Sequence, residues 1–193
     1  MGRAPQKRTL ETRAKLVAAA QAIVSESSYT ELRTEEVVQR AGVAKGTFFA
    51  HFKDKDALMD QLIGARINEC LGGIESRPAP GDINELIDAL MPLLDLMRCE
   101  RYVFDVILRL SGAAAIEEIG PIAQTFERQV IVIAGWLAKG PFRTDISPQL
   151  MAEGVQAFYV QAIALNFCAI NQAVPVEDRL REYLQAWLMP TTA

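Results

Sequence analysis

The chain has 193 residues, of which 50% are hydrophobic and 23% are charged, which is an ordinary globular composition. Its net charge of −4, taken alone, argues against a protein that binds nucleic acid. The charge is unevenly distributed, because residues 1–55 hold ten Lys and Arg against six Asp and Glu, whereas residues 56–193 hold ten against eighteen. This basic N-terminal part on an acidic body indicates that only the N-terminal part meets an anionic partner. The three cysteines are widely spaced, which excludes a disulfide framework.

The first predicted element is a helix over residues 9–25. Its apolar residues recur three or four positions apart, as Leu16, Ala19, Ala20, Ile23 and Val24. This spacing places them in one stripe along a helix, so one face of the helix is predicted to pack against a core.

Two short helices are predicted next, over residues 35–41 and 44–49, on either side of Gly42. Thr34 is the predicted N-cap of the first, and Gly42 is predicted to take a positive φ at the turn. Four apolar side chains are spaced to pack together and against the first helix: Val37, Ala41, Val43 and Phe48. This arrangement predicts a helix-turn-helix, whose second helix enters the major groove of DNA.

The second short helix and the residues after it carry the candidate DNA contacts. Gly46 keeps this helix slender where DNA would approach, and Lys45 and Thr47 are placed to reach phosphates or base edges. Lys53 and Lys55 flank the start of the following helix. Lysines and the free backbone N–H groups of a helix N-terminus together suit a phosphate.

The rest of the chain continues the helical periodicity. Asp54, Asp82 and Ser147 are predicted N-caps, and Pro121 suits a first helical turn. Helices are predicted over residues 54–71, 82–97, 101–110, 121–139 and 148–171, and a last apolar stripe runs over residues 180–188. We find no strand, so the predicted fold class is all-α with about nine helices.

The predicted helix over residues 148–171 is apolar almost all round between residues 157 and 170. Such a helix is expected to be buried on two sides, against its own core and against something else. Tyr159, Gln161 and Asn166 are polar groups within or beside this stretch. Each needs a hydrogen-bond partner if it is buried, and that partner lies in the core, across a dimer or on a ligand.

A further pattern extends over residues 12–62. It consists of paired alanines, an aromatic residue before a Thr, then Ala-Gly-Val, Gly-Thr, an aromatic pair, His-Phe and a Lys. These are here Ala19–Ala20, Tyr29, Thr34, Ala41–Val43, Gly46–Thr47, Phe48–Phe49, His51–Phe52 and Lys55. With these residues the chain resembles the tetracycline-repressor (TetR) family of bacterial regulators. The family usually has Tyr at the position of Phe49 and Ser at that of Ala44.

The resemblance implies a three-helix helix-turn-helix DNA-binding domain over residues 1–53 and a C-terminal helical bundle over residues 54–193 for ligand binding and dimerisation. It also implies two partners, double-stranded operator DNA and a small-molecule effector, and a homodimer that pairs through the last two helices. Position by position, it makes Thr34, Lys45, Thr47, Phe49, His51 and Lys55 the DNA-facing residues. Arg33, which stands where the family has a small residue, is a candidate for a further phosphate contact. Gly46 and Lys53 complete the candidate set.

The same resemblance implies a regulator that is released from its operator, as a repressor, when an effector binds. From the polarity of the C-terminal part we expect this effector to be apolar or amphipathic. Ligand sites in helical bundles form between helices. The candidate lining residues are Met91, Leu94, Phe104, Phe126, Phe158, Gln161, Ala162 and Leu165.

Other classes of protein fit the sequence less well. An enzyme needs a nucleophile–base pair, a carboxylate pair or a cofactor loop, and since we find none we expect no catalytic residue, metal site or cofactor. The N-terminus lacks the apolar core of a signal peptide and residues 157–170 are too few to span a bilayer, so we expect a cytoplasmic protein without a membrane partner. The alternative is a helical small-molecule or lipid carrier without DNA binding. That alternative explains the apolar C-terminal part but not residues 34–52.

Overall fold

The computed structural model describes residues 4–112, 119–169 and 173–189. Within these ranges the chain forms nine α-helices and no strand, which confirms the predicted all-α class. The helices are α1 (Ala4–Glu26), α2 (Thr34–Ala41), α3 (Lys45–Phe49), α4 (Lys55–Glu75), α5 (Ile83–Arg98), α6 (Arg101–Leu110), α7 (Pro121–Leu137), α8 (Pro148–Asn166) and α9 (Val176–Leu188).

The three predicted side-chain N-caps at the starts of α4, α5 and α8 are confirmed. In each helix the side-chain oxygen of the cap accepts a hydrogen bond from a backbone N–H in the first turn, which would otherwise lack a partner. The pairs are Asp54 with Ala57 at 2.8 Å, Asp82 with Glu85 at 2.8 Å and Ser147 with Leu150 at 3.2 Å.

The prediction that Thr34 caps α2 is wrong. The N-cap residue is Arg33, whose extended backbone (φ −119°, ψ 138°) starts the helix one position earlier, so that Thr34 lies inside the first turn. The carbonyl of Arg33 accepts the N–H groups of Glu36 and Val37, both at 3.1 Å. Since no side chain caps this helix, the acidic residues of its first turn are left to stabilise its positive end.

The first three helices share a small core. Leu16, Ala20 and Val37 are fully buried, and so is Phe48, the buried residue of α3. Ala41 and Val43 are partly buried against this core, and the predicted packing of the helix-turn-helix is therefore confirmed. The same core continues into the buried residues of α4, so the N-terminal helices are fixed to the rest of the chain through that helix.

Helix α4 packs most extensively against α7. Gly64 makes this close approach possible, because a Cβ at that position would lie 2.6 Å from Cβ of Pro121. One turn earlier, the carboxylate of Asp60 accepts the backbone N–H of Ile122 at 2.8 Å. A side chain of α4 thereby caps the N-terminus of α7, and the two helices are held in register.

Helix α9 packs against α5 and α8 of the same chain. Its predicted stripe is buried there, at Leu180, Leu184 and Leu188. The indole N–H of Trp187 donates a hydrogen bond to the carbonyl of Met151 in α8 at 3.0 Å. The apolar face of the last helix is therefore covered by the chain's own helices. Across the described ranges, no helix combines the length and apolarity needed to cross a membrane.

Candidate nucleic-acid interface

The turn between α2 and α3 depends on Gly42. This residue takes φ +66° and ψ +37°, the left-handed conformation that the sequence predicts, and it ends α2. Its N–H donates to the carbonyl of Gln39 at 3.2 Å, and the N–H of Val43 donates to the carbonyl of Val38 at 3.0 Å. These bonds satisfy carbonyls at the end of α2 and set the angle at which α3 leaves the turn.

Helix α3 has one buried side and one exposed side. Phe48 is 0% exposed, and its ring packs edge-on against Phe49 at 5.3 Å between centroids. Phe49 points outward and is 51% exposed, beside exposed Lys45 and Gly46. A Cβ added at Gly46 would meet no atom within 4 Å. The outward side of α3 is thus narrow and open, as a helix that enters a groove requires.

None of the nine predicted DNA-facing residues is buried. Five are exposed: Arg33, Lys45, Gly46, Phe49 and Lys53. Four are half-buried: Thr34, Thr47, His51 and Lys55.

Arg13 is a site residue that sequence reasoning missed. From α1 its guanidinium donates to the backbone carbonyl of His51 at 2.7 Å and to Oε1 of Gln61 at 3.2 Å. It also lies 4.2 Å from the ring centroid of Phe52. Arg13 therefore joins the end of α3 to both α1 and α4. The basic residue alone gives no signal of this role, because its partners lie 38 or more positions away.

Lys45 is not isolated on the surface. Its ammonium pairs with the carboxylate of Glu35 in α2 at 2.6 Å, and both side chains are mostly exposed. The hydrogen bond from Lys45 lowers the pKa of Glu35 from its usual value. The carboxylate of Glu35 therefore holds the lysine that begins α3.

The two lysines that flank Asp54 have different surroundings. Lys53 is exposed. Nζ of Lys55 lies 4.8 Å from the ring centroid of Tyr102, and burial lowers the pKa of this ammonium. Lys53 thus presents its charge to solvent more fully than Lys55, whose ammonium contacts a side chain of α6.

Three aromatic residues of the predicted effector lining lie in different surroundings. Phe104 packs on Phe167 at 5.7 Å, and Phe158 packs on Tyr183 at 5.2 Å. Phe126 lines a groove between α7 and α8. Leu94 and Ala162 are fully buried, Met91 and Leu165 are half-buried, and Gln161 is exposed.

A buried polar pair joins α7 and α8 at positions that the predicted set does not include. Gln129 and Tyr159 are both 0% exposed, and the hydroxyl of Tyr159 donates to Oε1 of Gln129. Burial raises the pKa of Tyr159 well above its ordinary value, so the hydroxyl keeps its proton. Nε2 of Gln129 has no hydrogen-bond partner among the described residues. Such a group is costly in a core unless water or a ligand satisfies it.

An open apolar groove of about 700 Å³ lies on the surface of α7 and α8 and is named here the α7–α8 groove. Phe126, Val130, Ala157 and Val160 are among its lining residues. Ile131, also in the lining, is 62% exposed. Glu127, Gln149 and Glu153 also line the groove, and apolar surface rimmed by polar residues is a feature of interaction sites.

The geometry defines a class: a helix-turn-helix domain fixed through α4 to a larger all-helical domain. Residues 16–62 match the sequence profile described as bacterial regulatory proteins of the tetR family. Among curated protein sequences, no relative matches the chain. Over these residues the chain carries a tetR-family helix-turn-helix domain, which confirms the resemblance seen in the sequence.

Solved structures share this fold over almost the whole chain. Thermus thermophilus FadR, a TetR-family transcriptional repressor solved with lauroyl-CoA, is 19% identical with a TM-score of 0.60, and the match covers 91% of this chain and 92% of FadR. SmeT, the repressor of the Stenotrophomonas maltophilia efflux pump SmeDEF, is 17% identical with a TM-score of 0.58, over 93% and 91%. Escherichia coli NemR in its reduced form is 13% identical with a TM-score of 0.58, over 94% and 100%.

Proposed function

We propose that the protein is a transcriptional regulator that binds operator DNA as a homodimer and is released, as a repressor, by a small apolar or amphipathic effector. The observation that carries the DNA-binding part is the outward side of α3, which is narrow at Gly46, open at Phe49 and flanked by Lys45 and Lys53. The match of residues 16–62 to the tetR family profile supports the same assignment. In the proposed division of labour, residues 1–53 bind DNA and residues 54–193 bind the effector and dimerise.

Two classes of contact are proposed at the operator. Lys45 and Thr47 begin α3 and reach base edges and the phosphates beside them. Arg33, Lys53 and the remaining candidates contact the sugar-phosphate backbone of the DNA. Phe49, which stands where a tyrosine is usual, packs against a sugar or a base methyl group. The candidates in this second class are Arg33, Thr34, Phe49, His51, Lys53 and Lys55, and Gly46 allows the approach.

For the dimer, we propose an interface on α7 and α8. The sequence predicted the last two helices, α8 and α9. Helix α9 packs its apolar side against α5 and α8 of its own chain, whereas apolar side chains are exposed in the α7–α8 groove. A second copy on this groove supplies the second burial surface expected for α8. To bind successive major grooves, the pairing must hold two copies of α3 about 34–36 Å apart, one turn of DNA.

For the effector, we propose a site in the C-terminal core that includes the buried pair Gln129 and Tyr159. The side-chain N–H groups of Gln129, which have no partner among the described residues, need an acceptor, so the effector would carry a carbonyl, ester or ether oxygen on an otherwise apolar body. FadR was solved with lauroyl-CoA, an amphipathic molecule, which is consistent with this chemistry. Leu94, Phe104 and Ala162 remain candidates for the apolar lining.

The test is a mobility shift with promoter fragments of the source genome at two salt concentrations. A regulator of this kind shifts specific fragments, and its affinity falls steeply with salt because phosphate contacts release counterions. The alternative, a helical carrier without DNA binding, shifts no fragment specifically while still binding an apolar ligand. That second outcome would overturn the proposal.

A further inference from the structure

Glu100 lies between α5 and α6 and holds the turn between α1 and α2 through three hydrogen bonds. Its Oε1 accepts the backbone N–H of Tyr29 at 2.8 Å. Its Oε2 accepts the N–H of Thr30 at 2.9 Å and the hydroxyl of Thr30 at 2.7 Å. We name this arrangement the Glu100 clasp. It joins the helix-turn-helix domain to a residue 70 or 71 positions further along the chain.

The clasp is a charge-assisted contact. Burial acts to raise the pKa of Glu100, but the hydrogen bonds from Thr30 and Tyr29 outweigh it, so the pKa of this carboxyl lies below its ordinary value. An ionised carboxylate that accepts several N–H and O–H bonds is among the stronger hydrogen-bonding groups in proteins. Tyr29 is itself packed in the core, at 9% exposed, so the turn is fixed on both sides.

The residues around Glu100 are set in the C-terminal core. Met97, one turn before it, is fully buried, and Val103 and Phe104 follow it at 0% and 3% exposed. Phe104 packs on Phe167 beyond the end of α8. A change in that core that displaces α5 or α6 therefore displaces the carboxylate.

Helix α6 makes two further contacts along the N-terminal half of α4. The ring of Tyr102 lies under the ammonium of Lys55, and Arg109 pairs with Asp56 at 2.5 Å. Together with the clasp, these contacts place α6 against both the turn before α2 and the start of α4. These two segments flank the α2–α3 pair in the chain.

We propose that Glu100 is a positioning residue for the DNA-binding domain: its carboxylate holds the α1–α2 turn at an orientation set by α5 and α6, and so passes displacements of the C-terminal core to α3. This inference rests on the proposed function, because α3 must bind DNA for its orientation to matter. Coupling between two sites needs an element whose arrangement both sites bias. Helix α6 with its N-terminal Glu100 is that element.

The direct test compares Glu100→Gln, Thr30→Val and the double variant with the unaltered full chain. Gln keeps the shape of Glu but has one acceptor oxygen, and its NH₂ group faces an N–H donor. Val keeps the shape of Thr and the backbone N–H but removes the hydroxyl. The matched control is Glu177→Gln, which breaks a partly buried carboxylate bond to Arg98 (2.8 Å) inside the C-terminal domain.

Two quantities are measured for each variant. The first, without DNA, is amide hydrogen exchange at Tyr29 and Thr30, which we expect to speed up about tenfold or more in Glu100→Gln and to stay unchanged in Glu177→Gln. The second is affinity for an operator fragment, which we expect to fall about 5- to 20-fold in Glu100→Gln. The operator affinity of the double variant should fall no further than that of Glu100→Gln alone, because both changes break the same contact.

Three outcomes would overturn the inference. These are unchanged or increased operator affinity in Glu100→Gln, an equal loss in Glu177→Gln, or additive losses in the double variant. If the unaltered chain binds no DNA, the proposed function fails and this inference fails with it. If it binds DNA and Glu100→Gln binds equally well, the inference alone fails.

Discussion

At the scale of single residues, two glycines of the helix-turn-helix have different structural roles. Gly42 is required by the backbone, since φ +66° is a conformation that other residues adopt at a cost of about 1–2 kcal/mol. Gly46 has an ordinary helical backbone, and a Cβ there meets nothing within 4 Å. The fold gives no reason for a glycine at position 46, as it gives none at Gly72; what sets Gly46 apart is its place on the exposed side of α3, where the proposed function puts DNA.

Gly46→Ala should therefore stabilise the free protein and weaken its binding to DNA. Replacing an exposed helical Gly by Ala stabilises by up to about 1 kcal/mol, while the added methyl group would lower operator affinity about tenfold or more by obstructing the groove. Urea unfolding and a binding titration measure the two effects. Gly72→Ala in α4, equally open, is the control and should only stabilise. Equal operator affinity in all three proteins would contradict the placement of α3 in the groove.

Glu35→Gln should strengthen DNA binding. The change removes a negative charge beside the phosphates and releases Lys45 from its ion pair. We expect affinity about 3- to 10-fold higher at low salt, with the difference shrinking as salt screens the charges. Glu182→Gln, the same change at an exposed position of α9, should have no effect. An equal gain in both variants would indicate an effect of net charge alone.

Sequence reasoning at this scale succeeded where a residue acts on its neighbours in the chain. Asp54 at a helix start and Gly42 at a turn have local signatures, because both contact groups within four positions. Thr34 was misplaced by one position because the extended backbone of Arg33 starts the helix without any side-chain cap. The contacts of Arg13 and Glu100 were not predicted, because their partners are distant in the sequence. Contacts between distant residues produce no periodic pattern in a single sequence.

At the scale of helices, the periodicity predicted where each element lies but not what covers it. The stripe at Leu180, Leu184 and Leu188 is present as predicted, yet it faces the chain's own α5 and α8. A stripe looks the same in sequence whether it packs inside one chain or between two. Which pairs of helices approach most closely was likewise hidden, because it depends on small residues such as Gly64 meeting a distant helix.

Gly64→Ala tests the closest of these approaches. The added Cβ would lie 2.6 Å from Cβ of Pro121 and 3.0 Å from the Pro121 backbone, so α4 and α7 must separate. Overpacking of this kind costs about 1–3 kcal/mol, whereas Gly72→Ala on the same helix should stabilise. The free energy of unfolding in urea distinguishes them. A Gly64→Ala protein as stable as the unaltered one would show that the α4–α7 contact is looser than described.

At the scale of the whole molecule, the proposed binding to an operator needs two copies of the chain. In the proposed function one α3 would read a single half-site, and a pair held in fixed geometry would give the affinity for a two-fold operator. The apolar surface available for this pairing in the described residues lies on α7 and α8. Sequence reasoning predicted that α8 needs a second surface, which agrees with the proposed interface, and assigned its companion to α9.

Ile131→Glu should convert the dimer to a monomer. A carboxylate at this 62% exposed position leaves one chain unstrained but would be buried, facing its two-fold mate, in a dimer built on the α7–α8 groove. Sedimentation should give the mass of one chain, and operator affinity should fall with it. Leu10→Glu, at a similarly exposed apolar position of α1 (63%), should remain dimeric. A dimeric Ile131→Glu protein would move the interface elsewhere.

The most direct test of the central claim is selection of bound fragments from the source genome, followed by footprinting of the enriched DNA with the full-length protein. We expect an enriched sequence with two inverted half-sites about one helical turn apart, protected by two chains, and no enrichment by a Lys45→Ala, Lys53→Ala double variant. Failure of the unaltered chain to enrich any sequence, or enrichment that the double variant retains in full, would contradict it.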